Sequence, residues 1–423
     1  VEPVVNEARA LEHPPAQMPP WAGIALPDLF AASVQANPQA AAFRWHGEPA
    51  DGGPRSITFA AAERAVQRIV EQFGDVGLQP GQVVVVSMAA TWETPLVLLA
   101  ALRAGLTPCL ASPALPLDAM TDLLGRATVG AVVTVGSVGT LRPAEQWRSA
   151  AAAAGGGRFV LAFGGRLPGG VLPLDGLFAS TADAGYAATG PRVGGQSPVL
   201  TTKFVDGEVA VVRHEQDGLV AAGLLLVVRA GMASAEPILT TIAPLGHAGL
   251  VTGLVPALLT GGTLWQLPTF RTNAFLASTD AMGRGHVVVP AALHDALVAS
   301  GIVRGAGSCI LVHRPAAQFE TRPLPGGAAG VIVDALACGE QGLLVARRDD
   351  DGASALAVGE SRIPDADGAL VIRAETGPGG RLYLAGAAVP TRIDTASGSI
   401  GVAETGLACR TDGRGRILSV TPS

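Results

Sequence analysis

Only one of the 29 basic residues in this 423-residue chain is a lysine, so a step that needs a primary amine has a single candidate, Lys203. It lies in Thr201-Thr202-Lys203-Phe204-Val205-Asp206-Gly207, where two hydroxyls precede an ammonium and a glycine follows. An ammonium is a compact point charge that can lose its proton when buried; the 28 arginines cannot substitute for it in shape or in acidity. The same residue count also fits a bacterial-type bias toward Arg, Ala and Gly. Other chemical signatures are missing from the sequence. There is no GxSxG elbow, no GxGxxG turn and no GxxxxGK[ST] loop, so hydrolase, Rossmann and Walker chemistries have no support. The seven histidines form no HxxxH pair and no Cys/His cluster, which argues against a metal site. Cys109, Cys309, Cys338 and Cys409 are far apart without a CxxC pair, as expected of free thiols in a reducing cytoplasm.

The elements that must position such residues alternate regularly. Residues 27–36 read as a helix closed by Asn37-Pro38, 40–45 as a strand, and Thr58 opens a helix with apolar positions at Val66, Ile69, Val70 and Phe73. Val83-Val84-Val85-Val86 is a β-branched run of the kind a doubly covered parallel strand requires. A helix over 94–103, a strand over 107–111, a helix over 118–126 and strands over 131–135 and 159–163 continue the alternation. Residues 150–157 read as a helix end or a loop, and 164–196 as loop. A second α/β set spans strands at 209–212, 238–242, 263–267 and 287–289 with helices at 219–229 and 250–259. From residue 324 strands dominate, at 330–333, 342–346, 370–373, 380–384 and 416–420. This pattern predicts an α/β protein of two doubly wound subdomains plus a β-rich distorted barrel, divided as an arm over 1–22 and subdomains over 23–195, 196–323 and 324–423. The length exceeds a single core, and 48% hydrophobic with 4% aromatic residues implies a core built of Ala, Val and Leu. A net charge of −6 without a basic block excludes an electrostatic nucleic-acid footprint. The weakly polar stretch 247–265 is broken by Gly, Thr and Pro and reads as a buried helix and strand, not a membrane span.

An ordered set of short segments resembles the adenylate-forming (AMP-forming acyl- and aryl-CoA ligase) superfamily. Leu26-Pro27-Asp28-Leu29-Phe30, Ser56-Ile57-Thr58-Phe59, Gly77-Leu78-Gln79-Pro80-Gly81 and Ala101-Leu102-Arg103-Ala104-Gly105 are similar to its opening. Ala243-Pro244-Leu245-Gly246-His247, Leu259-Thr260-Gly261-Gly262-Thr263 and His286-Val287-Val288-Val289-Pro290-Ala291 follow in family order. The catalytic segments depart from the pattern. The family's glycine-rich phosphate loop corresponds to Thr201–Ala210, which keeps the hydroxyls of Thr201 and Thr202 but carries Lys203 and Asp206 at glycine positions and Val209 at the lysine position. Asp206 and Glu208 would repel a triphosphate there. The segment Leu336-Ala337-Cys338-Gly339-Glu340 keeps the magnesium-binding glutamate as Glu340 but has Leu336 for the adenine-stacking tyrosine and Gly339 for the threonine. Thr405-Gly406-Leu407 has a leucine for the ribose-binding aspartate.

The resemblance thus implies the large N-terminal domain of an adenylate-forming ligase, with degenerate nucleotide positions at Thr201, Thr202, Lys203, Gly339, Glu340, Thr405 and Leu407, and with the family's C-terminal lid absent. No catalytic residue, metal or cofactor is assigned. The expectation is a cytoplasmic acyl-CoA synthetase-like homologue that keeps the scaffold to bind an acyl or aryl group, in an apolar cavity near His247 and Leu336, or a protein partner. Self-association or a partner is expected at the uncovered lid face, through Phe204, Val205, Leu336 and Leu407. The alternatives are an active ligase completed by a separate C-terminal domain, and a structural subunit of a multi-enzyme assembly.

Overall fold

A computed structural model describes residues 19–46, 54–126, 129–155, 157–177, 196–205, 207–267, 270–315, 319–320, 330–349, 351–364, 368–396 and 398–423. Most of the expected N-terminal arm, the greater part of the 164–196 loop and Asp206 lie outside the described residues. The described residues form the expected α/β architecture, with two large mixed sheets and one antiparallel sheet.

The first sheet has nine strands. Its parallel centre runs Val199–Val205, Thr107–Leu110, Val83–Ser87, Val129–Val135 and Phe159–Phe163. Val83–Ser87 is buried along its whole length because helices cover both faces. On the inner face lies the helix Phe59–Asp75, whose N-cap Thr58 accepts a hydrogen bond from the Ala61 N–H at 3.2 Å. That helix buries Ala62, Val66, Ile69 and Phe73, one stripe at helical spacing. On the outer face, Leu117–Gly125 and Pro143–Ala153 bury Leu124 and Trp147 against Val85 and Val132. Of the run at 150–157, Ala150 to Ala153 close a helix that starts at a first-turn proline, and 154–155 form a turn.

The second sheet has eight strands, with Val331–Ala337, Ser308–His313, His286–Pro290, Ile238–Thr240, Leu264–Gln266 and Ala41–His46 all parallel. Its inner face shares one core with the inner face of the first sheet, through Leu264, Val288, Ile310 and Val333 and the helices Leu26–Ala36, Glu93–Arg103 and Gln216–Ala230. Its outer face packs Leu239, Val287 and Leu311 against Phe275 and Leu297. The antiparallel sheet has six strands, from Phe319–Glu320 through Ile417–Pro422, Glu404–Thr411, Arg381–Ala385 and Ala369–Thr376 to Gly359–Ile363.

The sheets cross the boundaries expected from sequence. Ala41–His46 and Pro54–Thr58 join the second sheet, not the first, and Val331–Ala337 and Leu343–Arg347 join it too, not the β-rich unit. Arg392–Thr395 and Gly398–Ile400 extend the first sheet by pairing with Glu208–His214. The physical reason is visible in Val331–Ala337. It is buried apart from its first residue, as suits a parallel strand between helical layers and not a half-wet barrel strand. Its one acid, Asp334, is fully buried and held by a bidentate Arg348 (2.9 Å to each oxygen) and by His313 Nε2 at 2.8 Å.

Candidate functional site

Residues 199–214 fold as a regular hairpin. Val199–Val205 pairs antiparallel with Glu208–His214 from Val199↔His214 to Val205↔Glu208, a register that leaves two residues for the turn. Gly207, at φ +84°, supplies the left-handed backbone such a turn needs. In such a ladder alternate backbone N–H groups of Val199–Val205 point to Glu208–His214 and are not free to meet an anion. Strand alternation also separates the two hydroxyls. Thr201 is buried and faces inward, while Thr202 donates to the Leu110 carbonyl at 3.2 Å. Lys203 shares the Thr201 face, Phe204 is 54% exposed on the other, and Glu208 is exposed.

Four of the residues singled out from sequence meet here: Thr201, Lys203, His247 and Glu340. Glu340 stands in the turn between Val331–Ala337 and Leu343–Arg347, closed by Cys338 N–H to the Gly342 carbonyl at 3.0 Å and by Gln341 N–H to the Cys338 carbonyl at 3.1 Å. Its Oε2 accepts the His247 backbone N–H at 2.6 Å, and its side chain also bonds the Thr201 hydroxyl. A Cβ at Gly246 would stand 2.6 Å from Glu340 Oε1, so a larger residue there would have to displace the carboxylate. Burial raises the Glu340 carboxyl above its ordinary value, opposed by the His247 N–H, Thr201 and the charges of Arg314 and Lys203. Burial likewise lowers the Lys203 ammonium, with Glu340 acting against it. Lys203 Nζ donates to Gln341 Oε1 at 3.0 Å, and Gln341 Nε2 donates to the Val402 carbonyl at 3.0 Å and to the Glu404 carbonyl. The hairpin, the 338–342 turn and the 402–404 segment are therefore tied directly to one another.

Behind this network two buried histidines stack, His214 on His247, with ring centroids 5.1 Å apart at 27°. Burial pushes His247 down to about 4, and burial with the neighbouring His247 pushes His214 well below its ordinary value, so both are neutral at physiological pH. Thr201 has one hydroxyl proton. It serves either Glu340 or His214 Nε2, which lies 3.0 Å from Thr201 Oγ1, so the direction of that bond follows the His214 tautomer. Both ring nitrogens of His247 are buried without a hydrogen-bond partner.

The other expected residues lie apart from this network. Gly339, at φ +59°, is exposed in the turn. Leu336 is fully buried, in register between His313 and Leu344. Thr405 Oγ1 donates to the Leu382 carbonyl at 2.8 Å and accepts the Leu407 N–H at 3.2 Å. Leu407 is in the core at 7% exposure. The apolar lid face expected from sequence is corrected accordingly. Leu336 and Leu407 are core residues, because an apolar group in place of a tyrosine or an aspartate is stabilised by burial, and Phe204 alone is exposed; the Val205 side chain lies outside the described residues. The sequence reading missed His214 and Gln341. Gln341 adjoins Glu340, but nothing local marks it as the partner of Lys203.

This arrangement offers neutral imidazoles, a carboxyl with a raised pKa and one amine already bonded to an amide. It suits an uncharged or apolar ligand better than a triphosphate. Among the described residues no group of three or more His, Cys, Asp or Glu could hold a metal ion, and no helix is long and apolar enough to cross a membrane.

A family model described as AMP-binding enzyme matches residues 30–162. The fold is similar to the luciferase-like enzyme of the nonluminescent mealworm Zophobas morio, with TM-score 0.71 at 13% identity over 96% of this chain and 97% of that one. It is also similar to a putative long-chain-fatty-acid CoA ligase of Rhodopseudomonas palustris, with TM-score 0.68 at 16% identity over 94% and 99%. The Klebsiella oxytoca NpsA N-terminal subdomain, bound to 3-hydroxybenzoyl-AMSN, aligns with TM-score 0.62 at 15% identity over 94% and 95%. No curated protein sequence matches this chain.

Proposed function

We propose that this chain, an acyl-CoA synthetase-like relative of the AMP-binding, adenylate-forming enzymes, no longer adenylates and keeps the scaffold to hold an acyl or aryl small molecule. The observation that carries this reading is the hairpin at 199–214. Where the resemblance places a glycine-rich phosphate loop, the chain runs as a strand whose ladder with Glu208–His214 engages alternate backbone N–H groups, and the one amine nearby is bonded to Gln341. An ATP phosphate would have to compete with that ladder and that bond for donors. Retained binding is supported by the buried, unpartnered imidazole of His247. The similar Klebsiella oxytoca NpsA N-terminal subdomain is in complex with 3-hydroxybenzoyl-AMSN, which supports an aryl group as the occupant here. Free, buried cysteines accord with a reducing, cytoplasmic setting. Among the described residues of the hairpin, a protein partner would have Phe204 as its exposed apolar anchor.

The test has two arms. Pyrophosphate exchange into ATP, measured with a panel of acyl and aryl carboxylates, should stay at background. Thermal shift with the same carboxylates and no nucleotide should rise for at least one. Carboxylate-dependent exchange above background would overturn the loss of adenylation, and a flat thermal panel would overturn ligand retention.

A further inference from the structure

Lys203 carries the only side-chain amine in the chain, and its surroundings position that amine without neutralising it. Its single hydrogen bond among the described residues runs from Nζ to Gln341 Oε1 at 3.0 Å. Gln341 is 1% exposed, and its Nε2 donates to the Val402 and Glu404 carbonyls, so its Oε1 stays aimed at the amine. An ammonium has three N–H donors, and on this half-buried side chain the others are left for water or a ligand.

Among the described residues no carboxylate is ion-paired to Lys203, although one stands close by. Thr201 and Lys203 share a strand face, about 7 Å apart along the strand. The 338–342 turn meets both, through Glu340 on the Thr201 hydroxyl and Gln341 on Lys203. The Glu340 carboxyl therefore lies beside the amide that holds the amine, near enough for its charge to act on Lys203 and beyond ion-pair contact. The exposed Arg314 is the other cation that acts on this carboxyl. A lysine held in place, partly withdrawn from water and free of an ion pair, is suited to act as a nucleophile.

We propose that Lys203 is a covalent capture site for small aldehydes and ketones, which it binds as a protonated Schiff base with Glu340 as counter-ion. The nitrogen lone pair forms a C–N bond to the carbonyl carbon, and the carbonyl oxygen leaves as water with the two protons that the ammonium sheds. The product iminium keeps one N–H, which Gln341 Oε1 accepts in place of the ammonium N–H. It also keeps the positive charge, so the buried Glu340 loses no electrostatic partner. An activated acyl group would react with the same amine but give a neutral amide, leaving that carboxyl with Arg314 as its remaining cation. The surroundings thus favour a carbonyl compound over an acyl donor. This inference goes beyond the non-covalent binding proposed above and does not depend on it.

The test incubates the full chain at pH 7.5 with butanal or benzaldehyde and sodium cyanoborohydride, with Nα-acetyllysine amide in the same tube as an unactivated reference. Peptide mass spectrometry then locates the reduced adduct, and a single lysine makes the assignment unambiguous. Lys203 should be alkylated at least about tenfold faster than the reference. Lys203→Arg should give no adduct in this peptide. Glu340→Gln, which keeps an acceptor for the His247 N–H, should still melt cooperatively and react at least about fivefold more slowly than the wild type. An N-acetylcysteamine thioester, compared with the same reference, should show less acceleration at Lys203 than the aldehydes do. Alkylation of Lys203 at the reference rate overturns the capture site. An unchanged rate in Glu340→Gln overturns the counter-ion, and greater acceleration of acylation overturns the choice of carbonyl compounds.

Discussion

His247 makes the protein sensitive to acid in a way that an apolar residue would not. Its folded-state pKa is about 4, depressed by burial, against an ordinary value of 6.5. The unfolded chain therefore binds a proton more readily than the folded one. The resulting stability is complete above about pH 6.5 and is lost as pH falls toward 4, by roughly 3 kcal/mol over that window. His214, depressed further by burial and by His247, acts in the same direction. Urea unfolding of the wild type between pH 7.5 and 4.5 should show most of this loss, and His247→Leu should lose about 2.5 kcal/mol less over the same range. Identical pH slopes would refute the burial of a neutral imidazole. At this scale the sequence was partly legible. Lys203 stood out by its singularity, and Glu340 and His247 by their place in recognisable segments. Their partners did not stand out, because Lys203 meets Gln341 from 138 residues away and contact between distant strands leaves no local pattern.

Among the elements, the strand Val331–Ala337 shows why local pattern assigns type better than layer. Its apolar run announced a strand, but its pairing with Ser308–His313 depends on a distant segment that the sequence reading left unassigned. Val199–Val205 was harder still, since Thr201-Thr202-Lys203 breaks the apolar run and the segment resembled a loop. By contrast, Val83–Ser87 was legible because four consecutive valines have few other uses. The buried group of Asp334, Arg348 and His313 has a definite energetic signature. Burial alone would raise the Asp334 carboxyl, but hydrogen bonds from His313 and Arg348 and the charge of Arg348 bring it down to about 2. Its stabilisation is present above about pH 4 and is lost as pH falls toward 2. Arg348→Met leaves that carboxylate buried with one partner and should cost about 3–5 kcal/mol at pH 7, read as a lowered urea midpoint. Adding Asp334→Leu should restore most of the loss, because an apolar pair removes the stranded charge. A single variant as stable as the wild type would contradict the buried pairing.

For the whole molecule, the alternation of elements was enough to indicate two α/β layers and a β-rich unit. It was not enough to show that strands from both ends of the chain complete each sheet, as Ala41–His46 and Arg392–Thr395 do. That interleaving brings the hairpin, the 338–342 turn and the 402–404 segment together, and the chain Lys203–Gln341–Glu404 then links the three. A nucleotide held by these segments would have to displace those bonds and would find a leucine at Leu407. Each lost charge-assisted contact weakens binding by about 1.5–3 kcal/mol. The most direct measurement is calorimetric titration of the full chain with ATP and Mg²⁺ at pH 7.5. The expected result is no saturable heat up to about 2 mM nucleotide. Saturable binding with a dissociation constant at or below about 100 µM would contradict the proposal that this chain does not bind nucleotide.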